Sequence, residues 1–288
     1  MDTEGIIAAH RRAGRDLVVD GVRTFALDRG EGPAVVCLHG VPVSSYVYRK
    51  VVAELAARGL RAIAPDLPGL GFAERPGDLD YTWTGLGRWT ARAIEALVDG
   101  PVHLVVHDIG GPVGFEAITH LGAAVRSVTL LNTITDVGSF TPPPVMRPFT
   151  WPLLDRAWLG GQTDWLFVRL MRAQGVADRS AATDAELAAH RHLLMRDDGG
   201  RAFLRIMRSY ETTAAKSRQH LEAIRGVPHR QVIWGDRDPA LAWSPFGETA
   251  VAVADVGSAT RLPAKHFLQE DQAPAIADRV ADLVARAG

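Results

Sequence analysis

The 288-residue sequence lacks features that several classes of protein require. It has one cysteine, Cys37, so no disulfide can form within the chain, and its place in an apolar run predicts buried, unreactive packing. No apolar run is long enough to cross a membrane, and residues 1–15 have no signal-peptide core. The formal net charge of −1 gives no reason to expect nucleic acid or an anionic membrane as a partner. We therefore expect a cytoplasmic protein without these partners.

Apolar residues, in contrast, are abundant. They make up 47% of the chain, enough for the core of one large α/β domain with an insertion, or of two small domains. Up to Asn132, apolar runs typical of buried strands alternate with segments of helical spacing, and Asp20-Gly21 predicts a hairpin turn within residues 16–29. This alternation predicts βαβ units and a mostly parallel sheet. Later strands are predicted at 34–38, 60–64, 102–106, 127–131, 231–234 and 254–261, and a final helix at 272–286.

A long segment interrupts this pattern. From about Thr133 to Arg225 the sequence has helical periodicity, and the strand pattern returns only at Gln231–Trp234. We interpret this insertion as a helical cap over the carboxyl edge of the sheet, where open α/β sheets bind ligands. The predicted division is therefore a core of residues 1–132 and 226–288 and a cap of residues 133–225.

The turn after the strand at Val102–Val106 has the features of a nucleophile elbow. The strand stops at His107-Asp108-Ile109, and two glycines open a helical segment. A strand, a sharp turn and a helix in this order push one side chain out above a parallel sheet. The usual pattern is Gly-x-Ser-x-Gly, but here Asp108 occupies the nucleophile's position. An isolated motif of this kind is more often a turn with an N-capping aspartate, so the prediction depends on the rest of the chain.

Two later residues complete a possible catalytic set. In hydrolases with such an elbow, an acid and then a histidine follow the nucleophile along the chain. Here the histidine is His266, and the acid is Asp238 or its neighbour Asp236. We favour Asp238 because its Asp-Pro step ends the loop and its spacing from Gly235 suits a hydrolase acid. Each of these residues follows a predicted strand at the same edge of the sheet.

An aspartate nucleophile limits the reactions that the protein can catalyse. A carboxylate with a reference pKa of about 3.9 is ionised at neutral pH and needs no base for attack. Attack on a saturated carbon that bears a leaving group gives a stable alkyl ester, whereas attack on a carbonyl would give an anhydride. His266 would then activate the water that hydrolyses the ester, and the backbone N–H groups of Val41 and Ile109 would hold the oxyanion. We expect a hydrophobic small-molecule substrate and water, with no cofactor and no metal.

The sequence resembles the haloalkane dehalogenase and epoxide hydrolase branch of the α/β-hydrolase superfamily. The matching runs are His39–Arg49, Ala64–Gly71, Leu104–Gly111 and Lys265–Glu270. The resemblance implies a mostly parallel eight-stranded sheet flanked by helices, with the helical cap inserted after the sixth strand. It also implies an acid after the late strand, because the alternative position holds Asn132, which cannot ionise.

Two departures from this branch concern the leaving group. Its dehalogenases usually hold the halide with a tryptophan after the nucleophile and with a second donor from the cap or from an asparagine after His-Gly. Here those core positions are Ile109 and Val41, whose side chains have no donor. Its epoxide hydrolases normally protonate the alkoxide with two cap tyrosines, and this cap contains only Tyr210.

We therefore predict epoxide ring opening, with hydrolytic halide displacement as the alternative. Candidate contacts to the substrate in the cap are Trp151, Trp158, Trp165 and Tyr210, although packing in the core is the simpler interpretation of each tryptophan. His190 and His192 are other possible acids, but surface positions on a helix are expected for both. Further alternatives are a cyclase, an isomerase or a cofactor-free oxygenase on the same fold, or a ligand-binding protein. A complete set of Asp108, Asp238 and His266 argues against a protein that only binds.

Overall fold

The computed structural model describes residues 1–152 and 154–288, and its strands form an eight-stranded sheet. The strand order is β1-β2-β4-β3-β5-β6-β7-β8. β2 is antiparallel to both β1 and β4, and all other neighbours are parallel. This is the mostly parallel sheet that the sequence predicts. The strands are β1 (Gly14–Val19), β2 (Val22–Arg29), β3 (Ala34–Leu38), β4 (Arg61–Pro65), β5 (Val102–Asp108), β6 (Val125–Thr133), β7 (His229–Gly235) and β8 (Thr260–Leu262).

Helices cover the sheet. α2 and α12 pack together against it, and α4 packs between α3 and α9. Because helices lie on both faces, the central strands are continuous apolar runs, and every residue of β3 is buried. The α-helices are α1 (Thr3–Arg12), α2 (Arg49–Ala57), α3 (Trp83–Leu97), α4 (Gly110–Leu121), α5 (Asp155–Gly160), α6 (Asp164–Leu170), α7 (Asp184–Met195), α8 (Arg201–Arg208), α9 (Ala214–Gly226), α10 (Glu248–Ala254), α11 (Leu268–Asp271) and α12 (Ala273–Ala287).

Within residues 1–152 and 154–288, the chain also contains five shorter helical segments. Three are 3₁₀ turns, at Ser45–Tyr48, Gly122–Ala124 and Arg147–Thr150. Two are π turns, at Met171–Gly175 and Trp243–Gly247. The π turn at Met171–Gly175 lies in the segment between β6 and β7 that the sequence predicts to form a cap. Such turns change the direction of side chains along a helix.

The sequence and the structure differ at two places. Helix α1 was not predicted; Asp2 caps it by accepting a hydrogen bond from the N–H of Gly5, and it packs against α7. The last strand was predicted near residues 254–261 but covers only Thr260–Leu262. The preceding small apolar residues form α10, which ends where Asp255 adopts a left-handed conformation with a φ of 53°. A strand cannot begin before that turn is complete.

The segment between β6 and β7 contains helices α5 to α8, followed by α9, which packs against α4 of the core layer. Over residues 134–152 and 154–228 this segment contains no strand. The exact division of the chain at residues 133 and 225 remains a prediction. Across the described residues, none of the helices combines the length and the apolar character needed to cross a membrane.

Candidate active site

The register of the sheet brings three sequence-predicted residues to one edge. Asp108 is the last residue of β5, Asp238 follows β7, and His266 follows β8. These three strands run parallel, so the loops at their carboxyl ends lie on the same side of the sheet. The structure therefore places the predicted nucleophile, acid and histidine together.

Asp108 occupies a strained turn. Its φ of 53° lies in the left-handed region that residues other than glycine seldom adopt, and such strain often marks a functional residue. Helix α4 begins two residues later, so Asp108 is held at the helix N-terminus, where a negative charge is stabilised. A Cβ atom on Gly40 would collide with the Asp108 carboxylate. Glycine at position 40 therefore lets the loop after β3 approach the carboxylate closely.

The Asp108 carboxylate has two defined neighbours. Its Oδ1 accepts a hydrogen bond from the backbone N–H of Val41 at 2.9 Å, and its Oδ2 lies 3.5 Å from Nε2 of His266. Burial alone would raise the pKa of Asp108, but the hydrogen bond and charge of His266 outweigh burial and lower it. The carboxylate is therefore ionised at neutral pH.

His266 connects the two carboxylates. Its Nδ1 lies 2.8 Å from Oδ2 of Asp238 while its Nε2 faces Asp108. Burial lowers the pKa of His266, but the charges of Asp238 and Asp108 overcome that effect and raise the pKa to about 10. His107, predicted as packing, is buried, and its Nε2 donates to the backbone carbonyl of His266 at 2.8 Å.

Asp238 is fixed by hydrogen bonds on both of its oxygens. Oδ1 accepts from the N–H groups of Ala240 and Leu241, at 2.7 and 3.0 Å. Oδ2 accepts from the side-chain amide of Asn132 at 2.7 Å, in addition to His266. Burial raises the pKa of Asp238, but His266 and these donors lower it overall. Asp236, the alternative acid, is partly exposed and lies 4.0 Å from the guanidinium of its neighbour Arg237.

A cavity of about 850 Å³, including its open mouth, lies above Asp108 and His266. Most of the wall is apolar, and its large side chains include Phe140, Met146, Phe149, Phe167, Met171 and Phe267. Among the described residues, no three His, Cys, Asp or Glu side chains are arranged to hold a metal ion. The cavity therefore presents a mostly apolar wall next to the carboxylate of Asp108.

Three further polar side chains line this cavity: Gln162, Gln174 and Tyr210. Tyr210 stacks on Trp83, with ring centroids 5.0 Å apart, and its hydroxyl lies 2.9 Å from Sδ of Met207. Burial raises the pKa of Tyr210 well above its usual range, and the charge of Asp108 raises it further. Tyr210 is therefore a protonated phenol on the wall of the cavity that holds Asp108.

The predicted cap tryptophans lie elsewhere. The side chains of Trp151, Trp158 and Trp165 are 53%, 45% and 67% exposed, and none of them belongs to the described lining of the cavity. Neither contact with a bound substrate nor packing in the core fits such exposure. Of the four cap residues that the sequence singled out, only Tyr210 faces the cavity.

The two cap histidines and Ile109 lie outside the described lining of the cavity. His190 was expected at the surface but is buried, with Nε2 3.1 Å from Oε1 of Glu270. His192 lies 3.0 Å from Asp164 and is partly exposed, and neither histidine lines the cavity. The side chain of Ile109 is buried and also outside the described cavity wall. The position after Asp108 therefore presents no side-chain donor to the cavity.

The sequence of this chain matches a known family over residues 33–241, and the description of that family is alpha/beta hydrolase fold. The matched range includes Asp108 and Asp238. The chain belongs to the alpha/beta hydrolase family. It is a hydrolase of the branch that contains haloalkane dehalogenases and epoxide hydrolases, as the sequence motifs predict.

Individual relatives of this hydrolase have different activities. A haloalkane dehalogenase from Mycobacterium marinum is 30% identical over 267 residues, which are 90% of this chain and 88% of that protein. A cis-3-alkyl-4-alkyloxetan-2-one decarboxylase from Xanthomonas campestris is 34% identical over 165 residues, 53% of this chain and 52% of that protein. The crystal structure of an epoxide hydrolase from Vigna radiata superposes with a TM-score of 0.75 at 22% identity, covering 95% of this chain and 97% of that one. That last likeness shows the shared fold.

Sequence reasoning missed several residues of this site in the hydrolase. Gln162 and Gln174 belong to no motif, and their approach to the cavity depends on how the helices between β6 and β7 pack. Asn132 was noted only because it cannot ionise, whereas the structure shows it bonded to Asp238. The one available signal was its position at the end of a strand that neighbours both β5 and β7.

Proposed function

We propose that Asp108 attacks a saturated carbon of a hydrophobic substrate and forms an alkyl ester, which His266 and water then hydrolyse. The observation that carries this proposal is the position of the Asp108 carboxylate in an apolar cavity, 3.5 Å from His266, which is itself 2.8 Å from Asp238. A histidine that is oriented by a carboxylate and faces a possible reaction centre is the arrangement that general-base catalysis requires.

The hydrogen bonds of Asp108 suggest which oxygen attacks. Oδ1 is held by the N–H of Val41 at 2.9 Å, whereas the nearest described partner of Oδ2 is His266 at 3.5 Å. Oδ2 is therefore the freer nucleophile, and Oδ1 becomes the carbonyl oxygen of the ester. When water adds to that carbonyl, the negative charge develops on Oδ1, where Val41 already donates. The N–H of Ile109, at the start of α4, is the proposed second donor.

Proton balance is consistent with this scheme. Opening of an epoxide breaks its C–O bond and leaves the electron pair on oxygen, which must gain a proton. We assign that proton to the hydroxyl of Tyr210. Esterification also removes the charge of Asp108, so the imidazolium of His266 becomes more acidic and gives up a proton, which restores the tyrosine. Neutral His266 then accepts a proton from the attacking water, and release of the diol returns Asp108 and His266 to their resting charges.

The leaving-group side of the cavity favours an epoxide. Neither Val41 nor Ile109 has a side-chain donor for a halide, and loss of one such donor typically costs a factor of about 100 to 1,000 in rate. Tyr210, in contrast, provides an O–H group that can protonate an alkoxide. The second candidate is halide displacement, which the resemblance to the dehalogenase from Mycobacterium marinum supports.

The test is to trap the ester in a His266→Gln variant. The variant is incubated with panels of epoxides and haloalkanes and then measured by intact-protein mass spectrometry and peptide mapping. An epoxide that alkylates Asp108 adds its whole mass, whereas a haloalkane adds its mass less that of the hydrogen halide, so the adduct identifies the leaving group. We expect epoxide adducts on Asp108.

The control is the double variant Asp108→Asn, His266→Gln, which should form no adduct. If substrates that the unmodified enzyme turns over leave no adduct on Asp108 of the His266→Gln variant, the covalent mechanism is wrong. If adducts form only with haloalkanes, the order of the two candidate functions must be reversed.

A further inference from the structure

Two glutamines on the cavity wall differ in burial. Gln174 is half-buried. Gln162 is only 5% exposed, and its side-chain amide makes no hydrogen bond with any described residue. Its backbone is nevertheless fixed, because its carbonyl accepts from Nε of Arg191 at 2.6 Å and its N–H donates to Leu159. Hydrogen bonds therefore fix the backbone of Gln162, whereas its side-chain amide has no partner among the described residues.

Gln162 lines the cavity that contains Asp108, so a molecule bound in that cavity can reach its amide. Because that amide has no hydrogen-bond partner among the described residues, binding such a molecule breaks no hydrogen bond within the protein. A bound substrate must place its leaving group away from the attacking carboxylate and towards the opposite wall, which the segment between β6 and β7 provides.

We propose that the side-chain NH₂ of Gln162 donates a hydrogen bond to the leaving atom of the substrate as the bond to Asp108 forms. This inference rests on the proposed function and names the group that replaces the missing donors at Val41 and Ile109. In the step, the bond between Asp108 Oδ2 and carbon forms, the bond from carbon to the leaving atom breaks, and the electron pair stays on the leaving atom. Gln162 stabilises that charge but keeps its protons, so for an epoxide the proton still comes from Tyr210.

A neutral amide has a predictable effect on selectivity. It can donate to an alkoxide, a lactone carboxylate or a halide, because no proton is transferred. Its contribution grows with the charge on the leaving atom in the transition state, and that charge is greatest for poor leaving groups. Substrates with poor leaving groups should therefore depend on Gln162 most.

The experiment measures the rate of ester formation in the His266→Gln background, in which alkylation is isolated from hydrolysis. The parent and a variant that also carries Gln162→Leu are compared by rapid quench with a series of substrates of graded leaving-group pKa. We expect Gln162→Leu to slow alkylation by about 100-fold or more, in line with the loss of one preorganised donor. We also expect its rates to fall more steeply as the leaving-group pKa rises, which a purely structural role would not cause.

Three further variants make the result decisive. Gln162→Glu has nearly the same size but no donor at neutral pH, so it should also lose rate, and it covers the case in which the leucine variant does not fold. Gln272→Leu, outside the cavity lining, should alkylate at the parent rate. Gln174→Leu should lose less of the alkylation rate than Gln162→Leu.

Two outcomes would overturn the inference. One is an unchanged alkylation rate, or an unchanged dependence on the leaving group, in both Gln162 variants. The other is a loss of rate in Gln174→Leu that equals or exceeds the loss in Gln162→Leu. Ester formation in the parent shows that the proposed function still holds in either case.

Discussion

The side-chain amide of Asn132 donates to Oδ2 of Asp238 at 2.7 Å, the same oxygen that lies 2.8 Å from Nδ1 of His266. Oδ1 of Asn132 in turn accepts from the N–H of Gly235 at 2.7 Å. Asn132 therefore connects the end of β6 with the loop that carries the acid. Its amide therefore holds the carboxylate of Asp238, the proposed acid, from the neighbouring strand.

We predict that Asn132→Leu slows hydrolysis of the ester by about tenfold and leaves its formation nearly unchanged. One hydrogen bond to a charged group contributes about 1.5–3 kcal/mol, and about 1.4 kcal/mol corresponds to a factor of ten. Single-turnover kinetics separate the two steps. A loss confined to ester formation would show that Asn132 acts on Asp108 rather than through Asp238.

A second prediction concerns the buried ion pair of Arg49 and Glu270. The guanidinium of Arg49 contacts both oxygens of Glu270, at 2.6 and 2.8 Å, and His190 lies 3.1 Å from the same carboxylate. We expect Glu270→Gln to lower the free energy of unfolding by about 3 kcal/mol, because the half-buried Arg49 loses its buried counter-charge and keeps only the carboxylate of Glu186, at 3.1 Å, in its place. Urea denaturation measures this change.

The matched control is Glu54→Gln, which removes a more exposed pair with Arg58 on α2. This variant should lower the free energy of unfolding by no more than about 1 kcal/mol.

Burial raises the pKa of Glu270, but Arg49 outweighs burial and lowers it well below the usual range. A lowered pKa contributes stability above the unfolded value of about 4.3 and loses it as the pH falls towards the folded value. The difference between wild type and Glu270→Gln should therefore shrink in acid, and a constant difference would contradict this assignment.

The third prediction is the pH dependence of ester hydrolysis. His266 must be neutral to act as a base, and in the free enzyme Asp238 and Asp108 raise its pKa to about 10 against the effect of burial. Esterification neutralises Asp108, so the pKa of His266 should be lower in the ester than in the free enzyme. The hydrolysis rate of the ester should rise with pH and level off above a pKa that is below 10. A plateau reached only above pH 10 would mean that Asp108 does not control this histidine.

The same histidine gives a fourth prediction, on stability. Its folded pKa of about 10 exceeds its usual value of 6.5, so its contribution to folding is complete below pH 6.5 and is lost as the pH rises to about 10. The free energy of unfolding of the unmodified protein, relative to that of His266→Gln, should decrease across this interval. Urea titrations at several pH values measure it, and an increase with pH would contradict the raised pKa.

The sheet edge that carries Asp108, Asp238 and His266 could be predicted from the sequence because local motifs specify it. Asp108 lies in a strand–turn–helix sequence, and His266 follows a short strand at the same sheet edge. The order of the three residues along the chain then selects a known arrangement, and the structure places Asp238 rather than Asp236 beside His266.

The wall of the cavity could not be predicted because tertiary packing determines it. The tryptophans of the cap suggested contact with a substrate, yet all three are exposed, whereas the inconspicuous Gln162 is buried beside the cavity. The sequence predicted a surface position on a helix for His190, but the residue is buried. Its partner Glu270 lies 80 residues away in the sequence, so no local pattern could indicate the contact.

The covalent ester on Asp108 is tested most directly by one turnover in water that contains a heavy isotope of oxygen. Enzyme in excess over an accepted epoxide is quenched after a single turnover, and both the diol and the peptide that contains Asp108 are weighed by mass spectrometry. Because water attacks the ester carbonyl, we predict an unlabelled diol and a heavy oxygen in the carboxylate of Asp108. A labelled diol with an unlabelled Asp108 would show that water attacks the substrate directly, and would contradict the ester mechanism.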